Sequence, residues 1–239
     1  MIATRDMSPN SYDVQRRIGL LTPSSNTVME PDFYDHVPAG WTVHSARMWL
    51  KEATVDAENR MLDDYVFPAA RDIASAKPHV IVFGCTSAGA LRGNDYDAWL
   101  LKEIEQRTGT PTVSVIKSVR KELRKISASN IVVVTPYMTA LNERIRSSLE
   151  SDNMKVLKIE GMGISENLEI AQVTGHRILE FAYQAVGDLE PDALFISCTN
   201  LPAMRVLKLL RKQFPFQVVT SNQAALETAI EVVQNAGTI

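Results

Sequence analysis

The 239-residue sequence predicts an α/β protein made of two similar doubly wound parallel-sheet halves related by a pseudo-twofold axis. Three observations predict it. Short β-branched runs alternate with longer helical patterns, which is the signature of βαβ units and a parallel sheet. Motifs recur at one offset of 113 residues: "IGLLTPSSN" at 18–26 aligns with "IVVVTPYMT" at 131–139, pairing Thr22 with Thr135 and Pro23 with Pro136. The chain has only two cysteines, and that same offset relates them, pairing Pro78 with Pro191, Cys85 with Cys198 and Thr86 with Thr199.

Taken in order, the first half begins with a strand over 17–22, after a polar N-terminal stretch that lacks the apolar core of a signal peptide and reads as a flexible tail. Further strands are predicted at 42–47, 79–84 and 112–116, with helices over about 55–76 and 95–107. A basic helix over 117–127 opens the second half. Its Arg120, Lys121, Arg124 and Lys125 read as a solvated face. Strands follow at 130–135, 155–160, 193–197 and 217–220, with helices at 138–151, 168–188, 201–213 and 222–236. The halves are placed at 16–115 and 116–218, and 219–239 is expected to return and complete the first. In outline each half is flavodoxin- or Rossmann-like.

Composition narrows the function classes. The chain is 45% hydrophobic and 22% charged, ordinary for a globular protein that can bury a sizeable core. A net charge of −3 gives no electrostatic case for nucleic acid or anionic membranes, and no apolar run is long enough for a membrane span. Two cysteines make no disulfide framework, so both are expected to be reduced thiols in a cytoplasmic protein. There is no Cys-x-x-Cys, and His36, His44, His79 and His176 are scattered, so no metal site is expected. "GMGISEN" at 161–167 is not a full dinucleotide fingerprint, and neither a P-loop nor a Gly-x-Ser-x-Gly elbow occurs. No cofactor is expected.

The four repeated motifs, "TPSSN", "GCTSAG", "TPYMT" and "SCTNLP", all follow strands. Ligands of open α/β sheets bind beyond the carboxyl ends of the strands, so all four loops are expected to line one cleft between the halves. Cys85 and Cys198 would approach a ligand from opposite sides, with Ser24, Ser25, Thr86, Ser87 and Thr199 supplying donors suited to a carboxylate. Those donors are also expected to favour a thiolate. An opposed thiolate and thiol can invert a stereocentre through a planar intermediate. The same pair can add to an activated double bond, permit rotation and eliminate.

At the residue level the chain resembles the Asp/Glu racemase superfamily, most closely its maleate cis–trans isomerase and arylmalonate decarboxylase branch. The resemblance runs over about 15–235 and is carried by "PSSNTVMEPDF", "GCTSAG", "TPYMTALNERI", "ISENLEIA" and "SCTNL". It implies that Cys85 is the nucleophile and Cys198 the proton donor, with Asn26, Tyr137 and Asn167 holding substrate carboxylates. It also implies a homodimer or homotetramer acting on a small carboxylate or dicarboxylate, with maleate to fumarate as the specific reaction. An amino-acid or related carboxylic-acid racemase is the alternative, followed by arylmalonate-decarboxylase-like chemistry or a non-catalytic binding protein. The branch's decarboxylases have glycine where Cys85 stands. The "TSAGALRG" after Cys85 resembles the dioxyanion-binding "TS" of those decarboxylases, and also two-cysteine racemase-like proteins associated with ectoine utilisation. From the residues alone, Asn26 and Asn167 each have a helix-capping reading as well.

Overall fold

The computed structural model describes residues 16–236, so the N-terminal tail lies outside the described residues. Two four-stranded sheets, all parallel, carry the fold. The first contains β1 (Arg16–Pro23), β2 (Trp41–Met48), β3 (Val80–Phe83) and β4 (Thr112–Ser114) in the order β2-β1-β3-β4. The second contains β5 (Asn130–Thr135), β6 (Lys155–Gly161), β7 (Ala193–Ile196) and β8 (Gln217–Thr220) in the order β6-β5-β7-β8.

The sequence repeat is also a repeat of register. Ile18 faces Val43 and Val80, and Ile131, its counterpart, faces Val156 and Ala193. The match breaks at one place: between Ile131 and Val132 the register slips, so that Val132 faces Lys158 and Leu157 is the extra residue of a bulge in β6. The central strands β3 and β7 are buried along their whole length, as the apolar runs VIVF and ALFI require of strands covered on both faces.

In the first half, α1 (Met29–His36) and α3 (Val66–Ala74) pack on β2. In the second, α9 (Gly175–Val186) packs on β5 and β6, and α7 (Thr139–Glu150) on β6. The last helix, α11 (Ser221–Ala236), leaves β8 of the second sheet yet lies against β3 and β4 of the first and against α6 (Val115–Lys125). Its Ala224, Ala225, Leu226, Ala229 and Val233 are buried there.

Several elements differ from the sequence expectation. The strand expected at 112–116 stops at Ser114, because the Ser114 hydroxyl accepts from Lys117 N at 3.2 Å and starts α6 there. The helix expected at 55–76 is three pieces: α2 (Val55–Arg60), a π-helical turn over Met61–Tyr65, and α3. The helix expected at 168–188 is two, α8 (Asn167–Ile170) and α9, because the Thr174 hydroxyl caps the second by accepting from Arg177 N at 3.3 Å. Two helices lie outside the predicted ranges, α1 and α4 (Thr86–Leu91). In α4, Gly89 sits where a Cβ would strike Ile116, so the glycine permits helix packing rather than ending the helix. Of the remaining helices, α5 covers Asn94–Thr108 and α10 covers Met204–Gln213.

Candidate active site

Cys85 and Cys198 end the loops that leave β3 and β7, as the repeat predicts, and each keeps only 5% of its surface exposed. The two thiols and Tyr137 feel one another's fields, which places all three at one centre. Cys85 has ordinary extended backbone and precedes α4. Its sulfur accepts from Ala88 N and lies 3.8 Å from the Ser87 hydroxyl. Cys198 has φ +104°, a conformation that disfavours any side chain. Its N–H donates to Ser221 Oγ at 3.0 Å, and its sulfur accepts from Asn200 N at 3.3 Å, from Leu201 N and from the Tyr137 hydroxyl.

Polar cross-links between the halves hold these loops together. Thr199 Oγ1 donates to the Gly84 carbonyl at 3.0 Å and accepts from Asn26 Nδ2 at 2.9 Å. Thr86 Oγ1 donates to Ser221 Oγ at 2.9 Å, so Ser221 touches both cysteine loops. Asn200 accepts from Thr27 N at 2.9 Å and donates to the Asn167 carbonyl at 2.6 Å. Asn167 Nδ2 donates to Ser25 Oγ at 2.9 Å. Residues 50–53 also cross to 165–167: Ala53 N donates to the Ser165 carbonyl at 2.7 Å, and Asn167 N to the Lys51 carbonyl at 3.2 Å.

The site residues expected from sequence are thus brought to one region, but several donors are engaged differently. Ser24 Oγ donates to the Leu50 carbonyl at 3.2 Å and accepts from Leu50 N at 3.0 Å, and Ser25 donates to the same carbonyl. These two serines fix residue 50 rather than pointing free hydroxyls at a ligand. The hydroxyls of Thr86 and Thr199 are likewise spent between the halves. Asn26 does two jobs: its carbonyl oxygen caps the chain ahead of α1, accepting from Val28 N and Met29 N at 3.0 Å each, while its amide reaches Thr199. Asn167 is the first residue of α8 and does not cap it. Tyr137 is buried, unlike its half-exposed repeat partner Ser24.

The expected stabilisation of a thiolate does not hold: both thiols are held above their ordinary range. Burial pushes the Cys85 thiol well above its ordinary range, and the Glu58 carboxylate pushes it further. Burial lifts Cys198 to about 11, against the opposing bonds from Tyr137, Asn200 and Leu201. The short helix α4 and a few amides do not outweigh the loss of water.

Sequence reasoning missed four polar residues here. Ser221 and Asn222 arrive only because α11 returns to the first half; Asn222 Nδ2 donates to Asp32 at 2.7 Å and to the Thr199 carbonyl at 3.0 Å. Asn200, inside the SCTNLP motif, was within reach of the sequence. Glu58, on α2, is fully buried, and its carboxylate accepts from the Ser87 hydroxyl.

The sequence profile of the arylmalonate decarboxylase family matches residues 18–238, nearly the whole chain. The chain belongs to the arylmalonate decarboxylase family. Among relatives related to this family member is the maleate isomerase of Nocardia farcinica, 26% identical over 222 residues, covering 87% of this chain and 86% of the relative. Among solved structures, a variant of the maleate isomerase from Pseudomonas putida S16 with maleate superimposes with a TM-score of 0.87 at 22% identity, over 92% of both chains. A mutant of the Nocardia farcinica maleate cis–trans isomerase with a covalently bound succinylcysteine intermediate gives 0.85 at 21% identity, over 92% of this chain and 93% of the other. At these identities the solved structures show the shared fold, the two four-stranded parallel sheets of this family.

Proposed function

We propose that the protein is a cofactor-independent isomerase of a small dicarboxylate, and that it converts maleate to fumarate. The observation that carries this reading is the meeting of Cys85 and Cys198 with Tyr137 at one buried centre. The sequence likeness to maleate isomerases supports it, as does the covalently bound succinylcysteine intermediate of one structural neighbour.

In this reaction Cys85, as a thiolate, forms a C–S bond to one alkene carbon, and the electron pair moves toward the neighbouring carboxylate. Cys198 gives its S–H proton to the adjacent carbon. Rotation about the new single bond follows. Cys198 then takes a proton back, the C–S bond breaks, and the trans alkene leaves. Asn26, Tyr137 and Asn167, with the main-chain N–H groups of Thr86, Ser87 and Thr199, hold the carboxylates and stabilise the charge as it spreads. The Tyr137 hydroxyl, bonded to Cys198, is the donor best placed to turn to a substrate oxygen. The test is proton NMR of reduced protein with maleate. Growth of the fumarate signal is the expected result, and folded protein that leaves maleate unchanged overturns the substrate.

A racemase is the second reading. It is favoured by the equal burial of the two thiols at matched repeat positions, since inversion of a stereocentre needs an acid and a base of like kind on opposite faces. Solvent deuterium at the α-carbon of recovered substrate would identify it.

A further inference from the structure

Glu58 is an ionisable group inside the site for which the reaction above has no role. It comes from α2, and none of its surface is exposed. One carboxylate oxygen accepts from the Ser87 hydroxyl, and the other, Oε2, has no hydrogen-bond partner. Among the described residues, burial and the Ser87 bond set its proton affinity, and no cation shares in it. The titratable groups that feel its field are Cys85, Cys198 and Tyr137. The elements packed on α2 are the π turn, with Asp63, Asp64 and Tyr65, and α4, which Arg92 follows. Arg92 is turned away toward Asp63, Asn59 and Tyr96. A carboxyl with half its bonding capacity unmet is expensive to bury, and a leucine would fill the space more cheaply.

Ser87 connects this carboxyl to chemistry. Its Oγ donates to Glu58 and stands 3.8 Å from Cys85 Sγ, completing an S–H, O–H, carboxylate chain. We propose that Glu58 takes the proton of Cys85 through the Ser87 hydroxyl and so makes the attacking thiolate. The proposal rests on the reading of Cys85 as the nucleophile. In the step the Cys85 S–H bond breaks and its proton passes to Ser87 Oγ, while the Ser87 proton passes to Glu58 Oε1. The total charge of the pair is unchanged, so no new buried charge is created. The reverse transfer restores the thiol when the C–S bond breaks. Burial raises the proton affinity of both groups, Glu58 to about 8 and Cys85 further, and the Glu58 charge adds to the rise at Cys85, so above about pH 8 the pair holds one proton and Glu58 is free to receive it.

The test needs no substrate. With Cys198→Ala, Cys85 becomes the only thiol in the chain. Its alkylation by iodoacetamide is followed by mass spectrometry across pH, with far-UV circular dichroism to check the fold. Glu58→Gln and Ser87→Ala, each in that background, are expected to slow alkylation above about pH 8, where Glu58 is ionised, by roughly tenfold or more and to move the rising limb to higher pH. Unchanged or faster alkylation in Glu58→Gln overturns the proposal, since a carboxylate that merely repels a thiolate would give that sign. Ser87→Ala leaves the buried carboxyl in place and carries the test alone if Glu58→Gln does not fold. Maleate turnover plays no part in this measurement. Glu58-dependent alkylation without maleate conversion rejects the substrate alone, and conversion with Glu58-independent alkylation rejects the relay alone.

Discussion

Cys198 holds a backbone conformation that glycine tolerates and other residues resist, at a cost of about 1–3 kcal/mol. The strain brings the sulfur under the Tyr137 hydroxyl and the Asn200 amide. Cys198→Gly should therefore be more stable to urea than Cys198→Ala, with an unfolding free energy higher by about 1 kcal/mol, reversing the usual order of glycine and alanine. Both variants, and Cys85→Ala, should lose turnover by about a thousandfold or more if the thiols do the chemistry, while a binding protein would keep its ligand affinity in all three. Glu58 sets a pH dependence of stability. Burial raises its pKa from the ordinary carboxyl range to about 8 in the folded protein, so the folded state holds a proton that the unfolded chain gives up near 4.5. The stabilisation is complete below about pH 4.5 and is lost as the pH rises through about 8, a span of about 4–5 kcal/mol. Glu58→Gln should flatten that decline, as read from denaturation midpoints across the interval. The two cysteines were legible from the repeat alone, and Asn26, Tyr137 and Asn167 from their motifs. Glu58 was not, because a glutamate in a predicted helix of mixed polarity reads as solvent-facing.

Among the elements, the end of β6 governs how Tyr137 is held. Gly161 passes so close to the Tyr137 carbonyl and the Asn142 side chain that an added Cβ would overlap both. Asn142 in turn accepts from Thr135 Oγ1 at 2.5 Å, and Thr135 accepts from Tyr137 N at 3.0 Å. Gly161→Ala should destabilise the fold by about 1–3 kcal/mol and displace Tyr137, which thermal melts and a weaker grip on maleate, seen as a higher KM, would register. The strands were readable from their β-branched runs because central parallel strands bury both faces. Helix ends were less readable. The break within 55–76 depends on a π turn, and α1 and α4 are short enough that tertiary packing rather than amphipathic period defines them.

At the scale of the molecule, we infer that 16–115 is completed by α11 rather than standing alone. The observation behind this is that α11 covers β3 and β4 while its first residue, Ser221, bonds to both cysteine loops and the next, Asn222, to the loop of Cys198. A chain ending at Thr220 would expose the surfaces that Ala225, Leu226, Ala229 and Val233 now bury, and is expected to lose cooperative unfolding by circular dichroism. The duplication was legible in sequence because its offset survives in both motifs. The cross-links between the halves were not, because each joins residues more than a hundred positions apart.

The bulge at Leu157 gives that duplication a direction. Upstream of it, β6 follows β2 at the offset of the repeat; downstream, the pairing runs one residue further along, so that Lys158 rather than Leu157 takes the place of His44. A molecule assembled from two copies of the first half would consequently present the same wall twice. The natural chain does not: one inserted residue carries the end of β6, where Gly161 closes on the Tyr137 carbonyl, one position out of step with the end of β2.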